Sequence, residues 1–191
     1  MFNTWINEPK KANDATNRIV ITADKDSNLF VDPTSDFKIN TAPIYATEIN
    51  SDFTLSCKVL PYFENTYDAG AIILYISDTN WVKLAYESTD MGHSAVVCVV
   101  TDGYSDDSNG EVVTVTAIWM KMTKKDRVVG VYYSQDSVNW RMVRLFKHNI
   151  NENDKIYLGL SAQSPLGDEC KVVFEDINYV EESVEDFRKG V

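Results

Sequence analysis

Trp81-Val-Lys-Leu-Ala-Tyr-Glu87 carries an indole, an ammonium and a carboxyl on alternating residues. In an extended strand alternate residues share one face. Val82, Leu84 and Tyr86 take the core side, so Trp81, Lys83, Ala85 and Glu87 form the opposite row. Val115-Thr-Ala-Ile-Trp-Met-Lys121 repeats the device, with Trp119 and Lys121 on one face and Ile118 and Met120 on the other. Placed side by side, two such strands would make a platform of tryptophan and lysine. Indole faces accept the apolar side of a pyranose ring, and charged or amide groups accept its hydroxyls. Trp81, Trp119, Lys83, Lys121 and Glu87, joined by Tyr67, Asp68 and Gln163, are the residue types such a site needs. The competing reading is structural: both indoles fill space beneath a loop, and Lys83 pairs with Glu87 across the pleat for little gain.

Retaining glycoside hydrolysis asks for more, namely two carboxyls about 5 to 5.5 Å apart, one with a raised pKa. Glu87 is the candidate catalytic residue, but its neighbours on that face are Ala85 and Lys83. Its partner, Asp68 or Asp102, would have to come from another strand. Binding is therefore expected ahead of catalysis, with a glycosidase and a non-catalytic interaction module as the other two classes. Such a module would use an apolar patch, or a sheet edge in a homodimer. His93 and His148 have no serine or cysteine at triad spacing. Asp24-Lys-Asp-Ser-Asn28 imitates the start of a calcium loop, yet Leu29 and Ser35 stand where its glycine and glutamate belong. Asp102, Asp106 and Asp107, in the polar run Thr101 to Gly110, read as a solvated turn. No cofactor is expected; calcium would be the ion if that turn closed on one. Ser134-Gln-Asp-Ser-Val-Asn-Trp140 echoes the S-x-D-x-G-x-x-W hairpins of sialidases, one residue short and without the glycine. It reads as a structural hairpin in which Asp136 accepts turn amides and Trp140 packs on the next strand.

The elements that must position these groups are strands. Alternating segments rich in β-branched and aromatic residues run from Ile19 to Ala23, Phe53 to Leu60, Ala71 to Ser77, Trp81 to Glu87 and Ala95 to Thr101. They continue from Val112 to Met122, Val128 to Ser134, Trp140 to Phe146, Ile156 to Ala162 and Lys171 to Tyr179. About ten strands with turn-rich connections and no long helical pattern predict an antiparallel β-sandwich. The 191 residues fit one domain, 1–180, followed by an acidic tail, 181–191, that reads as a short helix or a frayed end. With 29 acidic and 18 basic residues the net charge is −11, which disfavours nucleic acid and anionic membrane surfaces as partners. No basic, then apolar, leader opens the sequence, so a cytoplasmic protein is expected. Cys57, Cys98 and Cys170 lie far apart among apolar neighbours, as buried free thiols of a reducing compartment do.

Several short stretches occur in a recognisable order. They are Trp5-Ile-Asn-Glu-Pro9, Ser51-Asp-Phe-Thr-Leu55, Tyr67-Asp-Ala-Gly70, Asn80-Trp-Val-Lys83 with Glu87, Val99-Val-Thr101 leading to Ser105-Asp106, Tyr133-Ser134 with Asp136 and Trp140, and Gly159-Leu-Ser-Ala162 before Ser164-Pro165. In this the chain resembles a family of small proteins of unknown function, labelled regulation of enolase protein 1-like, with a concanavalin A-like lectin and glucanase sandwich. The chain departs from the family pattern at Asp68, where the family has Gln, at Ala85, where it has Gly, and at Asp107, where it has Trp. Ser27-Asn-Leu-Phe30 stands where the family has Thr-Asp-Phe-Trp. The resemblance implies a jelly-roll of two antiparallel sheets whose concave face holds a carbohydrate or glycoconjugate. It places Trp81, Lys83 and Glu87 on that face. A monomer or a homodimer is expected.

Overall fold

The computed structural model describes residues 1–191 and contains sixteen strands and no helix. They are β1 (Thr4–Ile6), β2 (Lys11–Ala15), β3 (Arg18–Asp24), β4 (Leu29–Val31), β5 (Lys38–Asn40), β6 (Ile44–Ile49), β7 (Phe53–Tyr62) and β8 (Ala69–Ser77). The second half adds β9 (Asn80–Ser88), β10 (Ser94–Asp102), β11 (Tyr104–Val112), β12 (Ile118–Lys125), β13 (Val128–Ser134), β14 (Arg141–Lys147), β15 (Ile156–Gln163) and β16 (Glu169–Val180). Two seven-stranded antiparallel sheets face each other. The first runs β1-β6-β15-β8-β9-β10-β11 and the second β14-β13-β12-β7-β16-β3-β2. The expected all-β jelly-roll sandwich is what forms.

Alternation explains the layering. Along β7 each inward residue, Phe53, Leu55, Cys57 and Val59, is buried, and each residue between them is only half-buried. These side chains join Ile72, Leu74, Val82, Leu84, Ile118, Met120 and Phe174 in a core of 29 buried residues between the sheets. Strands β8 and β9 depart from alternation, being buried on both faces. Their outward side chains belong to a second cluster of 13 buried residues, which includes Trp81, Ala85, Ala69 and Ile73 together with Leu29 and Ala42. A strap, residues 25–43, containing the β4–β5 hairpin, lies over part of the outer face of the first sheet.

Three expectations need correction. The platform does not form: β9 lies in the first sheet and β12 in the second, and both strands turn their apolar residues inward. Trp119 and Lys121 therefore sit on the far side of the molecule from Lys83 and Glu87. The polar run 101–110 is not a loop. Asp102-Gly103, with Gly103 at φ +82°, turns the chain tightly, and the residues beyond it form the edge strand β11. Hence Val112 ends β11, and β12 starts only at Ile118. The tail is neither helical nor frayed; it packs on the outer face of the second sheet. Thr54 donates to the Glu182 carbonyl (2.7 Å), Tyr132 to that of Phe187 (2.6 Å) and the Lys121 ammonium to that of Gly190 (2.7 Å).

Candidate functional site

Strand register sets the site. Gln163, Ala69, Glu87 and Ala95 are aligned across four neighbouring strands of the first sheet, and Ile73, Lys83, Val99 and Asp107 form a second row. Between them runs Ala71, Ala85, Val97 and Asn109. Alanines at 69, 71, 85 and 95 leave a shallow floor, since each side chain rises only a methyl above the sheet. At the other end of this face stand the bulkier Tyr75 and Trp81, paired across β8 and β9.

The strap covers that bulky end. Ser27 accepts from the Ser164 amide (2.9 Å), Ser105 accepts from the Val31 amide (2.9 Å), and the Asn40 amide donates to the Tyr75 hydroxyl (3.0 Å). The Lys83 ammonium donates to the Leu29 carbonyl (3.1 Å). What stays open is a pocket of about 240 Å³. The strap contributes Asn28 and Phe30 to its wall, the segment before β8 contributes Tyr67, and the sheet contributes Lys83, Glu87, Asp107 and Gln163. A second hollow, reaching Thr89, Asp90 and Asn109, shares Tyr67, Glu87 and Asp107 and opens outward. Tyr67 holds φ at +68°, in the left-handed region that a bulky side chain rarely adopts. Such backbone strain concentrates where a binding geometry has to be held.

The polar groups form a relay. Gln163 Oε1 accepts from Lys83 Nζ (3.1 Å), and its Nε2 donates to the Tyr67 carbonyl (2.9 Å) and to Glu87 Oε2 (3.3 Å). Lys83 and Glu87 thus communicate through the amide rather than as the direct ion pair that the spacing allowed. Burial pulls the Lys83 ammonium down, against the field of Glu87 and Asp107. Burial pushes Glu87 up to about 7, with Lys83 opposing and Asp107 and Asp90 adding to the rise. Asp107, at the rim, is raised by desolvation and lowered in part by Lys83. Its orientation follows from β11: Asp106 turns the other way and pairs with Arg144 of the second sheet (2.6 Å), leaving Asp107 to face the pocket.

Of the residues expected at the site, Lys83, Glu87, Tyr67 and Gln163 converge there. Trp81 does not reach it, because it is fully buried beneath the strap with Leu29 and Ala42. It cannot stack a ligand. Trp119 lies beside Lys58, and Lys121 lies over the Trp140 ring at 3.8 Å, both on the second sheet. Asp68 is buried and structural: it accepts from the Glu64 and Asn65 amides (3.0 and 2.9 Å) and from the Ser164 hydroxyl (2.9 Å). It ties the Tyr67 segment to the strap anchor. Asp68→Ala is expected to lower stability by about 1–3 kcal/mol, the cost of orphaned buried donors, and Asp68→Asn by less. Urea unfolding midpoints of the two variants check this.

Asn28, Phe30 and Asp107 were not among the expected ligand-binding residues. Asp107 had a readable signal in the Asp102-Gly103 turn; Asn28 and Phe30 sit in a strap whose three-residue strands carry too few positions to show a period. No three His, Cys, Asp or Glu side chains come together in a way that would hold a metal ion. Asp136 accepts the Val138 and Asn139 amides (2.9 and 2.8 Å), so the sialidase-like stretch is a turn, as read. The three cysteines are buried and free, with burial raising each thiol.

A family model described as "Protein of unknown function (DUF1349)" matches residues 5–182. The chain is 26% identical over 174 residues to regulation of enolase protein 1 of Saccharomyces cerevisiae, covering 91% of this chain and 86% of the relative. A crystal structure of a functionally unknown protein from Saccharomyces cerevisiae superposes with a TM-score of 0.87 at 25% identity, over 95% of this chain and 97% of that one. The carbohydrate-binding module CBM66 from Bacillus subtilis shares the fold, with a TM-score of 0.57 at 14% identity over 93% and 96% of the two chains.

Proposed function

We infer from the site itself, since the chain belongs to the DUF1349 family of proteins of unknown function, that the strap-walled pocket binds a carbohydrate. One observation carries this reading: a buried Lys83–Gln163–Glu87 relay presents a carboxyl into a preformed pocket on the same type of sandwich as a carbohydrate-binding module. Ligand pockets combine apolar walls with a few fixed polar groups, and Phe30, Tyr67, Glu87 and Asp107 supply both. At about 240 Å³ the pocket falls below the roughly 300–1,000 Å³ of drug-sized sites, and the strap blocks one end. Both features fit a single sugar ring or a chain terminus better than the interior of a polysaccharide. Three buried free thiols support a reducing, cytoplasmic setting for this binding.

A glycan array probed with the wild-type protein, Glu87→Gln and Asp107→Asn tests the reading. Selective retention, weakened about tenfold in the variants by loss of roughly 1.4 kcal/mol of charge-assisted hydrogen bonding, is the expected result. Silence across the array, or retention unchanged in both variants, contradicts it.

Hydrolysis is favoured by one further observation: Glu87, raised to about 7, shares the pocket with a second carboxyl, Asp107. A raised acid opposite another carboxylate is what glycoside cleavage uses. Turnover of aryl glycosides by the wild type and its loss in Glu87→Gln would support that activity, and no turnover by folded wild-type protein would leave binding alone.

A further inference from the structure

Resting on the sugar-binding reading, we propose that this pocket selects sugars carrying a free, protonated amino group over neutral sugars, and excludes sugars carrying a carboxylate.

The inventory of donors and acceptors points this way. Lys83 is the pocket's one cation, and its ammonium is already held by the Leu29 carbonyl and Gln163 Oε1. Gln163 uses both ends of its amide on Lys83, Tyr67 and Glu87. Asn28 accepts the Leu29 amide on its side-chain oxygen (2.8 Å). Glu87 differs from these. Its side chain is more than nine-tenths buried and lines both the pocket and the adjoining hollow, yet only Oε2 receives a donor, and that at 3.3 Å. Glu87 Oε1 has no protein partner among the hydrogen bonds. An unpartnered carboxyl oxygen on a largely buried side chain that lines the pocket is free to accept a donor from the ligand.

Charge strengthens the case. Lys83 stands against the carboxylates of Glu87, Asp90 and Asp107 within the pocket and its hollow. Arg144 of β14 is paired with Asp106, the neighbour of Asp107 that faces away from the pocket. A carboxylated sugar would add a further negative charge beside the carboxyl groups of Glu87, Asp90 and Asp107, where the one ammonium already gives two of its three N–H groups to the protein. An ammonium on the ligand would meet a site with acceptors to spare. Two opposite charges about 4 Å apart at an effective dielectric constant of about 20 attract strongly enough to outweigh the difference between an amine and a hydroxyl, and a partly enclosed site is screened less by salt than an exposed one.

Calorimetric titrations of the wild-type protein with glucosamine, N-acetylglucosamine, glucose and glucuronate at pH 7 and low salt test the proposal. Glucosamine is expected to bind at least tenfold more tightly than N-acetylglucosamine and glucose, with glucuronate weakest. In Asp107→Asn, whose substitution lies at the exposed rim and leaves the core untouched, the ratio of glucosamine to glucose affinity should shrink severalfold, beyond any weakening that both sugars share. Equal affinity for glucosamine and glucose, or tightest binding of glucuronate, overturns the selectivity but leaves the sugar site standing. Failure of all four to bind overturns the sugar reading and this inference together.

Discussion

Trp81→Ala is expected to cost about 3–5 kcal/mol of stability, the range for emptying a large buried aromatic site. The indole is wholly inaccessible and packs in the cluster that joins the strap to the first sheet. Its loss would undermine Leu29, whose carbonyl receives the Lys83 ammonium, and Leu29 lies between the pocket residues Asn28 and Phe30. Sugar binding should therefore fall in this variant without any stacking contact having been removed. Trp119→Ala, at a half-buried position on the second sheet, serves as the comparison and should cost clearly less while leaving binding intact. Urea unfolding curves measure both. A Trp81→Ala protein as stable as the wild type would mean that the strap does not rest on this ring.

Glu87→Gln is expected to flatten the dependence of stability on pH. The native carboxyl titrates near 7, against 4.5 for an unperturbed glutamate. Between these values the native state holds a proton that the unfolded chain has released, so stability falls as pH rises from about 4.5 to about 7 and levels off above. At 1.36 kcal/mol per pKa unit the loss is on the order of 3 kcal/mol. The lowered ammonium of Lys83 acts in the opposite sense, adding stability as pH rises toward 10.5. Glutamine keeps the shape and the contact with Gln163 but carries no titrating proton. Unfolding midpoints at pH 5 and pH 8 should therefore differ much less in the variant than in the wild type. Parallel profiles would show that Glu87 ionises normally and that the pocket does not desolvate it.

Much of the fold could be read from period-two patterning, because inward residues such as Phe53, Leu55, Cys57 and Val59 alternate with half-buried ones. The pattern failed where its physical cause was absent. Strand β2 is exposed along its whole length and β11 along most of it, since edge strands have neighbours on one side only and show little alternation. Half of the site was visible for a related reason. Lys83 and Glu87 interrupt a strand that is otherwise apolar, whereas Asp107 sits in a run where every residue is polar. Periodicity assigns a residue to a face of its own sheet, but it does not say which sheet. That is why Trp119 and Lys121, with the same local pattern as Trp81 and Lys83, ended on the opposite side of the sandwich. Nor could it show that a strap would cover Trp81, because contact between residues 25–43 and β9 is set by long-range packing. Phe30 and Asp107, two positions where the chain departs from the family pattern it resembles, both line the pocket. Their chemistry separates this pocket from one walled by tryptophans.

The most direct measurement is a titration of isotope-labelled protein with monosaccharides, followed through backbone amide resonances. Binding in the proposed pocket should move the signals of Tyr67, Glu87, Asp107 and Gln163 in a saturable way and leave those of Trp119 and Lys121 in place. No saturable shift with any sugar, or shifts confined to the second sheet, would contradict the assignment of the pocket as a carbohydrate site.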